Sequence, residues 1–393
     1  MAAENSAAAD GTDASAPLDA RTARLVLNAL PNIGPVTCRR LMDALGDAPT
    51  AIFRASRGQL CAVKGVGAVV AETILQWRTH FSPARELEKM ATRNIRFTIP
   101  EDGDAYPALL REIYDPPLGL YATSGYKWGD RCIGIVGSRR VTAYGKSMAH
   151  ALAHELAASG WCVVSGLARG IDTAAHQGAL AAGGATVAVL GCGLDIVYPP
   201  ENLELYRQIA ATGAVVSEFF LGRQADRQTF PMRNRLISGM SRAIVVVESD
   251  VVGGSMITAR FAAEQNRTVC AVPGRADQPL SRGCHALIRD GATLVTCVDE
   301  ILEELGEAPT APTQTELNLT ASATAPAASS VPSGLGALET KILQCLSGGL
   351  TLGVDTLAEQ TQTPVPSLIG TLLMMELNRL VVKTPDGRYE TAR

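Results

Sequence analysis

Short apolar segments that alternate with amphipathic ones constrain the fold of this chain more than any other feature. From about Asp130 the apolar runs are CIGIV, WCVVS, ATVAVL, AVVSE, AIVVVES, TVCAVP and ATLV, separated by segments such as AYGKSMAHALAHELAASG and SMITARFAAEQN. Strands that are apolar on both faces belong in a parallel sheet covered by helices on both sides. The pattern predicts a doubly wound, Rossmann-like α/β domain over residues 99–306, with its sites beyond the carboxyl ends of the strands.

The segments that flank this domain have different patterns. Residues 19–98 are predicted to be all-helical, with two helix-hairpin-helix phrases, LNALPNIGPVTCRRLMDAL and LCAVKGVGAVVAETIL. Residues 335–393 follow the order helix, helix, helix, hairpin, which is typical of a winged helix. Residues 1–18 are acidic and lack an apolar run, so we expect a disordered tail, and residues 307–334 are rich in Ala, Thr, Pro and Ser, which indicates a flexible linker.

The sequence does not decide whether the two flanking modules contact DNA or protein. Hairpin amides at a helix N-terminus can hold a DNA phosphate without selecting sequence, but packing or protein contact explains the same pattern equally well. Asn32 stands where a second hairpin glycine is usual, which weakens the case for a duplex DNA contact there. The third helix of the winged helix holds only Arg379 and Glu376 among mostly apolar residues, which favours a protein contact over DNA.

Composition narrows the class of protein. The formal net charge of the 393 residues is −4, so any nucleic-acid site must be a local patch. The nine cysteines include no CxxC pair, which suits reduced thiols in a cytoplasmic protein. His150 and His154 do not form an HExxH motif, no GxSxG is present, and no apolar run approaches a membrane span. These residues disfavour a metal site and give little support to catalysis, and we expect His176 to serve in packing or capping.

The segment CIGIVGSRRVTAYGKS raises the question of a nucleotide site because it ends in Gly145-Lys146-Ser147 after an apolar strand. A Walker A loop requires a glycine at position 140, where this chain has Arg140, and arginine cannot readily adopt the backbone geometry that glycine permits. A dinucleotide fingerprint fails as well, because the order after the strand is G-I-V-G-S-R. The sequence therefore favours neither ATP nor a dinucleotide.

Small and basic residues follow several of the predicted strands. They are Gly137-Ser138-Arg139, the run from Ser165 to Gly170, Gly191-Cys192-Gly193 and Gly253-Gly254-Ser255. Glycines let backbone amides approach an anion, while Arg139 and Arg169 add charge. The segment from Gly222 to Arg242 has five arginines (Arg223, Arg227, Arg233, Arg235 and Arg242) and one acid, Asp226. Together these loops predict a site for more than one phosphate, with some of these arginines near the sheet edge.

These motifs resemble the DNA-processing protein A (DprA/Smf) family from about Asp102 to Val298. The matching phrases, in the family's order, are GIVGSRRVTAYG, VVSGLARGIDTAAHQGAL, VAVLGCGLDIVYPPEN, SEF, FPMRNRLISG, VVESDVVGGSMITARFAAEQNRTVCAVPG and SRGCHALIRDGATLV. The resemblance implies a homodimer that binds and shields single-stranded DNA and loads the RecA recombinase during natural transformation. It also implies a helical N-terminal domain, a C-terminal winged helix, and neither a cofactor nor an established enzymatic activity.

The resemblance also implies which residues bind DNA. The candidates are Gly137, Ser138, Arg139, Ser165, Gly166, Arg169, Gly170, Asp172, Gly191, Asn202, Arg233, Asn234, Arg235, Gly254, Ser255 and Thr258. The chain departs from the family at Gly253, where members have Ser, and at Pro200, where some members have a basic residue after YP. Those two positions cannot supply the family's contacts.

Two alternatives stay open. The related nucleoside-monophosphate phosphoribohydrolases share this kind of sheet and use a PGGxGTxxE loop with a catalytic Glu. The comparable GGSMITARF of this chain lacks the GT pair and has Phe261 three residues after Thr258. A mononucleotide turnover assay separates that enzyme from a DNA-binding protein, and a purely structural adaptor would not retain a single-stranded oligonucleotide at low salt.

Overall fold

A computed structural model describes residues 18–123, 126–307, 336–346, 351–384 and 387–391. Most of the predicted tail (1–18) and linker (307–334) lies outside the described residues. The chain divides into two compact units, Met1–Thr310 and Ala311–Arg393. Within the described ranges, no helix is long and apolar enough to cross a membrane.

The first unit begins with a helical module. Its helices are α1 (Ala20–Ala29), α2 (Pro35–Leu45), α3 (Pro49–Arg54), α4 (Arg57–Cys61), α5 (Ala68–Leu75), α6 (Trp77–His80) and α7 (Pro83–Thr92). Their apolar faces form one core that includes Val26, Leu41, Ile52 and Leu60. In the predicted hairpins, the turns contain Asn32 and Gly65, both with positive φ (61° and 87°).

A nine-stranded sheet and its helices make up the rest of this unit. The strands are β1 (Ile95–Thr98), β2 (Leu120–Thr123), β3 (Cys132–Gly137), β4 (Cys162–Ser165), β5 (Thr186–Val189), β6 (Ala214–Ser217), β7 (Ala243–Val247), β8 (Thr268–Ala271) and β9 (Thr293–Leu294). The helices are α8 (Ala108–Arg111), α9 (Ala143–Ala158), α10 (Ile171–Ala181), α11 (Leu203–Thr212), α12 (Thr229–Gly239), α13 (Gly254–Glu264), α14 (Arg282–Arg289) and α15 (Val298–Glu304).

The strand order is β1-β2-β6-β5-β4-β3-β7-β8-β9. All neighbours from β6 to β9 are parallel, whereas β1 and β2 are antiparallel additions at one edge. The chain runs outward from β3 to β6 and then returns to β7 on the other side of β3, so the strand order reverses there. Such a switch point is where doubly wound sheets place their ligands. The predicted doubly wound fold is confirmed.

The prediction that residues 19–98 are all-helical is wrong at their end, because β1 is a strand. Ile95 and Phe97 face the core while Arg96 is exposed, which is the two-residue alternation of a half-buried strand. The segment pairs with β2 in antiparallel register, Ile95 opposite Thr123.

The second unit contains α16 (Ala337–Cys345), α17 (Val354–Thr361), α18 (Val365–Leu377) and the antiparallel strands β10 (Val381–Lys383) and β11 (Tyr389–Thr391). Leu346, Leu357, Leu368 and Leu372 form its core. The order of three helices followed by a hairpin is the predicted winged helix, and that fold is confirmed.

Candidate functional site

The loops that follow β3, β4 and β5 meet α12 at a narrow cleft on the carboxyl edge of the sheet. Its wall includes Arg139, Arg169, Gly191, Tyr198, Phe230 and Arg233, and we call it the arginine–aromatic cleft. The sequence predicted four of these six residues as contacts. Tyr198 and Phe230 were not predicted, although the YPP and TFP phrases that contain them were already visible.

An exposed cation and two aromatic rings form the open side of this cleft. The guanidinium carbon of Arg139 lies 4.9 Å from the centroid of the Phe230 ring. The Tyr198 ring lies 5.7 Å from the Phe230 ring, tilted by 45°. Among the residues that the structure describes, Arg139 makes no salt bridge. The arrangement therefore presents a free positive charge beside two rings that can stack on a flat ligand.

The loop after β3 holds Arg139 in place. Gly137 packs so closely against Val247 and Ile171 that a Cβ at this position would collide with the Val247 carbonyl oxygen. The Ser138 amide donates to the Glu248 carbonyl (2.7 Å), and its hydroxyl donates to the Arg140 carbonyl (2.7 Å). Gly137 and Ser138 therefore shape the turn that presents Arg139 to solvent.

The loop after β4 is held by a buried carboxylate. Asp172 accepts hydrogen bonds from the amides of Gly166 (3.1 Å) and Ala168 (3.3 Å). Burial raises the pKa of Asp172, and the positive charge of Arg233 opposes that rise. Because Asp172 already accepts from these two amides, the contacts give no support to a phosphate at Gly166 or to a direct DNA role for Asp172.

Two further predicted residues brace the same loop. Gly170 has φ = 82° and lies against the Ser138 carbonyl, where a Cβ would not fit. Asn202 donates to the Leu167 carbonyl (3.0 Å) and to the Thr173 hydroxyl (2.9 Å). Leu167 itself has φ = 56°, a conformation that a non-glycine residue keeps only when its surroundings enforce it. The Asn202 side chain thus fixes the loop that carries Arg169.

Arg233 lies at the inner end of the cleft and is only 4% exposed. One guanidinium nitrogen donates to the carbonyl oxygens of Gly166, directly after β4, and Val189, the last residue of β5. Its Nε donates to the Asn234 side chain (3.1 Å). Arg233 therefore links the ends of β4 and β5, and its positive charge lies at the inner end of the cleft.

Arg235 has a different environment, although it is only two residues further along α12. Its guanidinium forms a buried salt bridge with Glu218, each side chain 5% exposed, and a second salt bridge of 3.3 Å with Asp115. It also donates to the Asp115 carbonyl (2.7 Å). Burial raises the pKa of Glu218, and its Oε1 has no hydrogen-bond partner within the described part of the chain. The structure does not bring Arg235 into the cleft.

Of the remaining predicted residues, Gly191 lines the cleft, whereas Ser165, Asn234, Gly254, Ser255 and Thr258 are not part of its wall. Gly191 lies beneath Phe230, with 3.3 Å between the ring and the position of a Cβ. Ser165 is buried and donates to the Ile135 carbonyl (2.6 Å). Asn234 donates to the Gly254 carbonyl (3.3 Å), and the Ser255 hydroxyl donates to that of Ser249 (2.8 Å). Thr258 is buried at 1% exposure.

Arg169 is exposed at the mouth of the cleft but is not free. Its Nε donates to the carboxylate of Glu201, and both side chains are about half exposed. The hydrogen bond raises the pKa of Arg169 and lowers the pKa of Glu201. Glu201 follows directly on Pro200, so this chain places an acid next to the position where some family members have a base.

The Gly145-Lys146-Ser147 segment is the first turn of α9, and a carboxylate of this chain caps it. Glu248 accepts from the amide (3.0 Å) and the hydroxyl of Thr142, the N-cap residue. The Thr142 hydroxyl in turn accepts from the Gly145 amide (3.1 Å). A Cβ on Gly145 would collide with the Glu248 carboxylate. The negative charge that favours a helix N-terminus is thus supplied from within the protein.

Most of the positive charge in the segment from Gly222 to Arg242 is neutralised. Arg223 pairs with Asp226 (2.6 Å), and Arg242 pairs with Glu307 (2.5 Å) at the opposite, amino end of the sheet. Arg227 is the one exposed arginine of the five, and it makes no salt bridge to a described residue. The local charge counted along the sequence therefore overstates the charge at the cleft.

Titratable groups suited to catalysis are sparse around the cleft. His176 is fully buried, its Nδ1 lies 2.7 Å from the Thr186 hydroxyl, and burial lowers its pKa to about 3. A histidine that stays neutral and enclosed fits the predicted packing role. Within the described ranges, no three His, Cys, Asp or Glu side chains are grouped to hold a metal ion.

Models of known protein families match three segments of this chain. The family model for DNA recombination-mediator protein A matches residues 96–306. A DprA winged helix model matches residues 323–387, and a SAM-like helix-hairpin-helix tandem matches residues 24–76.

Individual relatives agree with these matches. Protein Smf of Synechocystis sp. is 38% identical over 293 residues, which cover 72% of this chain and 72% of that protein. The DNA processing protein DprA of Bacillus subtilis is 42% identical over 212 residues, 53% of this chain and 71% of that protein. The X-ray structure of DNA processing protein A from Streptococcus pneumoniae has a TM-score of 0.57 at 31% identity, covering 72% of this chain and 95% of that one. The chain therefore belongs to the DNA recombination-mediator protein A (DprA/Smf) family.

Proposed function

We propose that this protein binds single-stranded DNA along the carboxyl edge of the sheet, with the arginine–aromatic cleft at the centre of the path. The observation that carries the proposal is the exposed Arg139 guanidinium, which has no salt bridge among the described residues and lies over the Phe230 ring. A cation paired with an aromatic ring suits a ligand that offers a phosphate and a flat base together. Membership in a family whose members are named DNA processing proteins supports the same ligand.

The geometry favours a single strand over a duplex. The bases of a single strand can leave their stack and lie on an aromatic ring, whereas those of a duplex are paired and stacked inside the helix. Tyr198 and Phe230 offer their rings within a narrow cleft rather than on a broad convex surface. No base-edge reader such as an unpaired Asn or Gln lines this cleft among the described residues. Binding is therefore expected to be largely independent of sequence.

The cleft is suited to holding DNA rather than to converting it. The deeper charged groups are engaged by the loops: Asp172 accepts from the loop amides, Arg233 donates to backbone carbonyls, and the charge of Arg233 favours the Asp172 carboxylate. We accordingly infer a cytoplasmic binding protein without a cofactor. It acts as a homodimer that protects incoming single strands and loads the RecA recombinase onto them. A phosphoribohydrolase-like enzyme would need an acid near Thr258, where Phe261 stands.

The second hairpin of the helical module is the place where we propose a duplex DNA contact. Gly65 has φ = 87° in its turn, and Lys64 beside it is exposed. Arg40 reaches across from α2, with one guanidinium nitrogen 2.9 Å from where a Cβ of Gly65 would lie. These two cations and the turn amides could hold one backbone phosphate. Lys64→Glu should weaken duplex binding without changing single-strand binding; equal duplex affinity would leave the module a packing role.

Binding of the full chain to fluorescent single strands across a salt series tests the main proposal. Homopolymers and mixed sequences of equal length should bind with similar affinity, and log K should fall linearly with log salt. Sedimentation of the same samples should report a dimer. No retention of any single strand at low salt, or hydrolysis of a nucleoside monophosphate by the same preparation, would overturn the proposal.

RecA loading needs its own assay. Single strands first coated with a single-strand-binding protein should acquire RecA filaments faster when this chain is present. Filament growth can be followed by RecA ATP hydrolysis. Unchanged growth, with intact single-strand binding, would restrict the function to protection of DNA.

A further inference from the structure

Helix α18 of the winged helix exposes one apolar face. Ile369 is 50% exposed, Leu373 55%, Met374 53% and Leu377 69%. Pro366 and Gly370 are exposed on the same side, whereas Leu368, Leu372 and Met375 are buried on the other. We call the six exposed residues the α18 face. A contiguous exposed apolar face on a small domain marks an interaction surface.

The chemistry of this face does not suit nucleic acid. In winged-helix proteins that bind DNA, the third helix supplies cations for phosphates and polar groups for base edges. Along α18 the only charged residue is Glu376, and Arg379 follows after the helix ends. A negatively charged, apolar helix would repel DNA phosphates and offers nothing to base edges. The partner must be a protein surface that is itself apolar.

The α18 face is complementary to itself. Pro366 and Leu377, Ile369 and Met374, and Gly370 and Leu373 are three pairs that lie symmetrically about the midpoint between Thr371 and Leu372. In an antiparallel, two-fold pair of α18 helices, each residue therefore opposes the other member of its pair on the partner. Outside the stretch of α18 that contains Gly370, no atom of the described residues lies within 4 Å of where a Cβ on Gly370 would be, so this open space can receive the Leu373 side chain of the second copy.

The charges agree with the same arrangement. In the antiparallel pair, Glu376 of one copy faces Ser367 of the other, in the first turn of α18. The N-cap residue, Pro364, gives this helix end no side-chain cap. Pro366 has no amide hydrogen, and the Ser367 amide donates to the Pro364 carbonyl (3.0 Å), so what remains at this end is the partial positive charge of the helix dipole. A carboxylate from the second copy would interact favourably with that charge. A parallel arrangement would instead place the two Glu376 carboxylates side by side.

We propose that the winged helix self-associates through antiparallel pairing of α18 with α18 of a second copy. One helix pair buries less than the roughly 1,200 Å² of a stable standard interface, so the contact is weak between free chains. Two copies can already be held together by another surface or by a shared DNA strand. Their α18 helices would then pair at a much higher effective concentration. The surface thus favours clustering of DNA-bound copies. This inference does not depend on DNA binding by the cleft.

Paired substitutions in the full chain test the register. Gly370→Glu alone and Leu373→Lys alone should each weaken self-association at least tenfold, because each puts an unpaired charge into an apolar contact. The double variant should recover most of the lost self-association, since Glu and Lys then oppose each other twice in the two-fold pair. Val382→Glu, an exposed apolar position outside α18, is the matched control and should leave association unchanged. Sedimentation velocity over a concentration series measures association beyond the proposed dimer, and circular dichroism checks folding.

A photo-crosslinking amino acid at Met374 gives an independent readout. It should join two copies, and mass spectrometry should place the attachment at or beside Ile369. Unchanged association in both single variants, no recovery in the double variant, or crosslinks only to unrelated proteins would overturn the proposal. Single-strand binding by the same variants should stay normal, so a failure here is distinguishable from a failure of the proposed DNA function.

Discussion

Arg139 and Arg235 both belong to motifs that resemble the family's DNA-binding signature, yet their environments are opposite. Arg139 is exposed, makes no salt bridge to a described residue and lies over an aromatic ring. Arg235 is 4% exposed and is held between Glu218 and Asp115. An arginine whose charge is already satisfied contributes to the fold, whereas an unsatisfied one is available to a ligand. The comparison therefore separates arginines that stabilise the fold from arginines that are available to bind a ligand.

The same contrast applies within a single helix. Successive residues on an α-helix are about 100° apart, so Arg233 and Arg235 lie on nearly opposite sides of α12. Arg233 turns toward the strand ends beneath the cleft, and Arg235 turns toward Asp115 and Glu218. The two arginines of this motif therefore have different roles: Arg233 positions the loops of the cleft, and Arg235 stabilises the domain.

The largest effect is expected from Arg235→Met. It leaves Glu218 buried without its cation, which should lower the free energy of unfolding by about 3–5 kcal/mol. Urea unfolding of the full chain, followed by circular dichroism, measures this loss. The affinity of the folded protein for single strands should change little. A large affinity loss with unchanged stability would place Arg235 in the DNA path after all.

The pH dependence of that loss tests its cause. Burial already raises the pKa of Glu218, and without Arg235 the carboxyl should take up a proton more readily still. Because the protonated form carries no buried charge, the destabilisation by Arg235→Met should shrink as the pH is lowered. The double variant Arg235→Met, Glu218→Leu removes both charges and should recover most of the stability at neutral pH.

The next largest effect is expected from Phe230→Leu, on the cleft side of the comparison. Loss of a base-stacking ring should weaken single-strand binding by about 1–3 kcal/mol, with no change in the salt dependence because no phosphate contact is removed. Tyr198→Leu should act in the same direction. Equal affinity in both variants would remove base stacking from the proposed mode of binding. Phe53→Leu, in the helical module, is a matched control for the loss of a ring.

Arg139→Ala should act on affinity and on its salt dependence together. One lost phosphate contact lowers the slope of log K against log salt by about 0.7 for a single strand, which is about fivefold at 0.1 M salt. Stability should stay within about 0.5 kcal/mol of the parent, because the side chain is exposed and makes no salt bridge to a described residue. Fluorescence anisotropy across the salt series measures the slope.

Two variants sharpen the result for Arg139. Arg139→Lys keeps the charge and should restore the salt slope, but a lysine loses the flat guanidinium that lies on Phe230. Arg96→Ala removes another exposed arginine, on the edge strand β1, and should leave both affinity and slope unchanged. A slope that falls equally in Arg96→Ala would show that net charge, rather than the cleft, controls binding.

The sequence predicted the fold more completely than the site, and the reason is physical. Apolar periodicity is a local property, so the strands from β3 to β9 and their helices follow from it. Whether an arginine is free depends on partners far away in the chain: Arg235 pairs with Asp115, 120 residues earlier. Arg139 was predicted because a short loop after a strand must reach the sheet edge. Such long-range charge pairs leave no local signal.

The aromatic part of the cleft shows the same limit. Tyr198 and Phe230 come from separate loops, and only the fold brings their rings to 5.7 Å. The aromatic content of the chain is 5%, an average that says nothing about where the rings lie. The sequence could predict that anions bind at this edge, and the assembled loops supply the stacking surface.

The smallest expected effect concerns Arg169, which lies between the two extremes of the comparison. It is exposed like Arg139 but paired like Arg235, through Glu201. A DNA phosphate must compete with that carboxylate for the guanidinium. Glu201→Gln removes the competing charge, so single-strand binding should tighten by about two- to fivefold at 0.1 M salt, and its salt slope should steepen by up to about 0.7.

A matched variant isolates the effect of this carboxylate. Glu204→Gln breaks a comparably exposed ion pair, with Arg207 on α11, and changes the net charge of the chain equally. It should leave the affinity near that of the parent, because Glu204 and Arg207 do not line the cleft. Equal tightening in both variants would mean that only the overall charge matters. Tightening by Glu201→Gln alone would show that an acid of this chain restrains the cleft's second arginine, and that DNA binding includes an exchange of partners at Arg169.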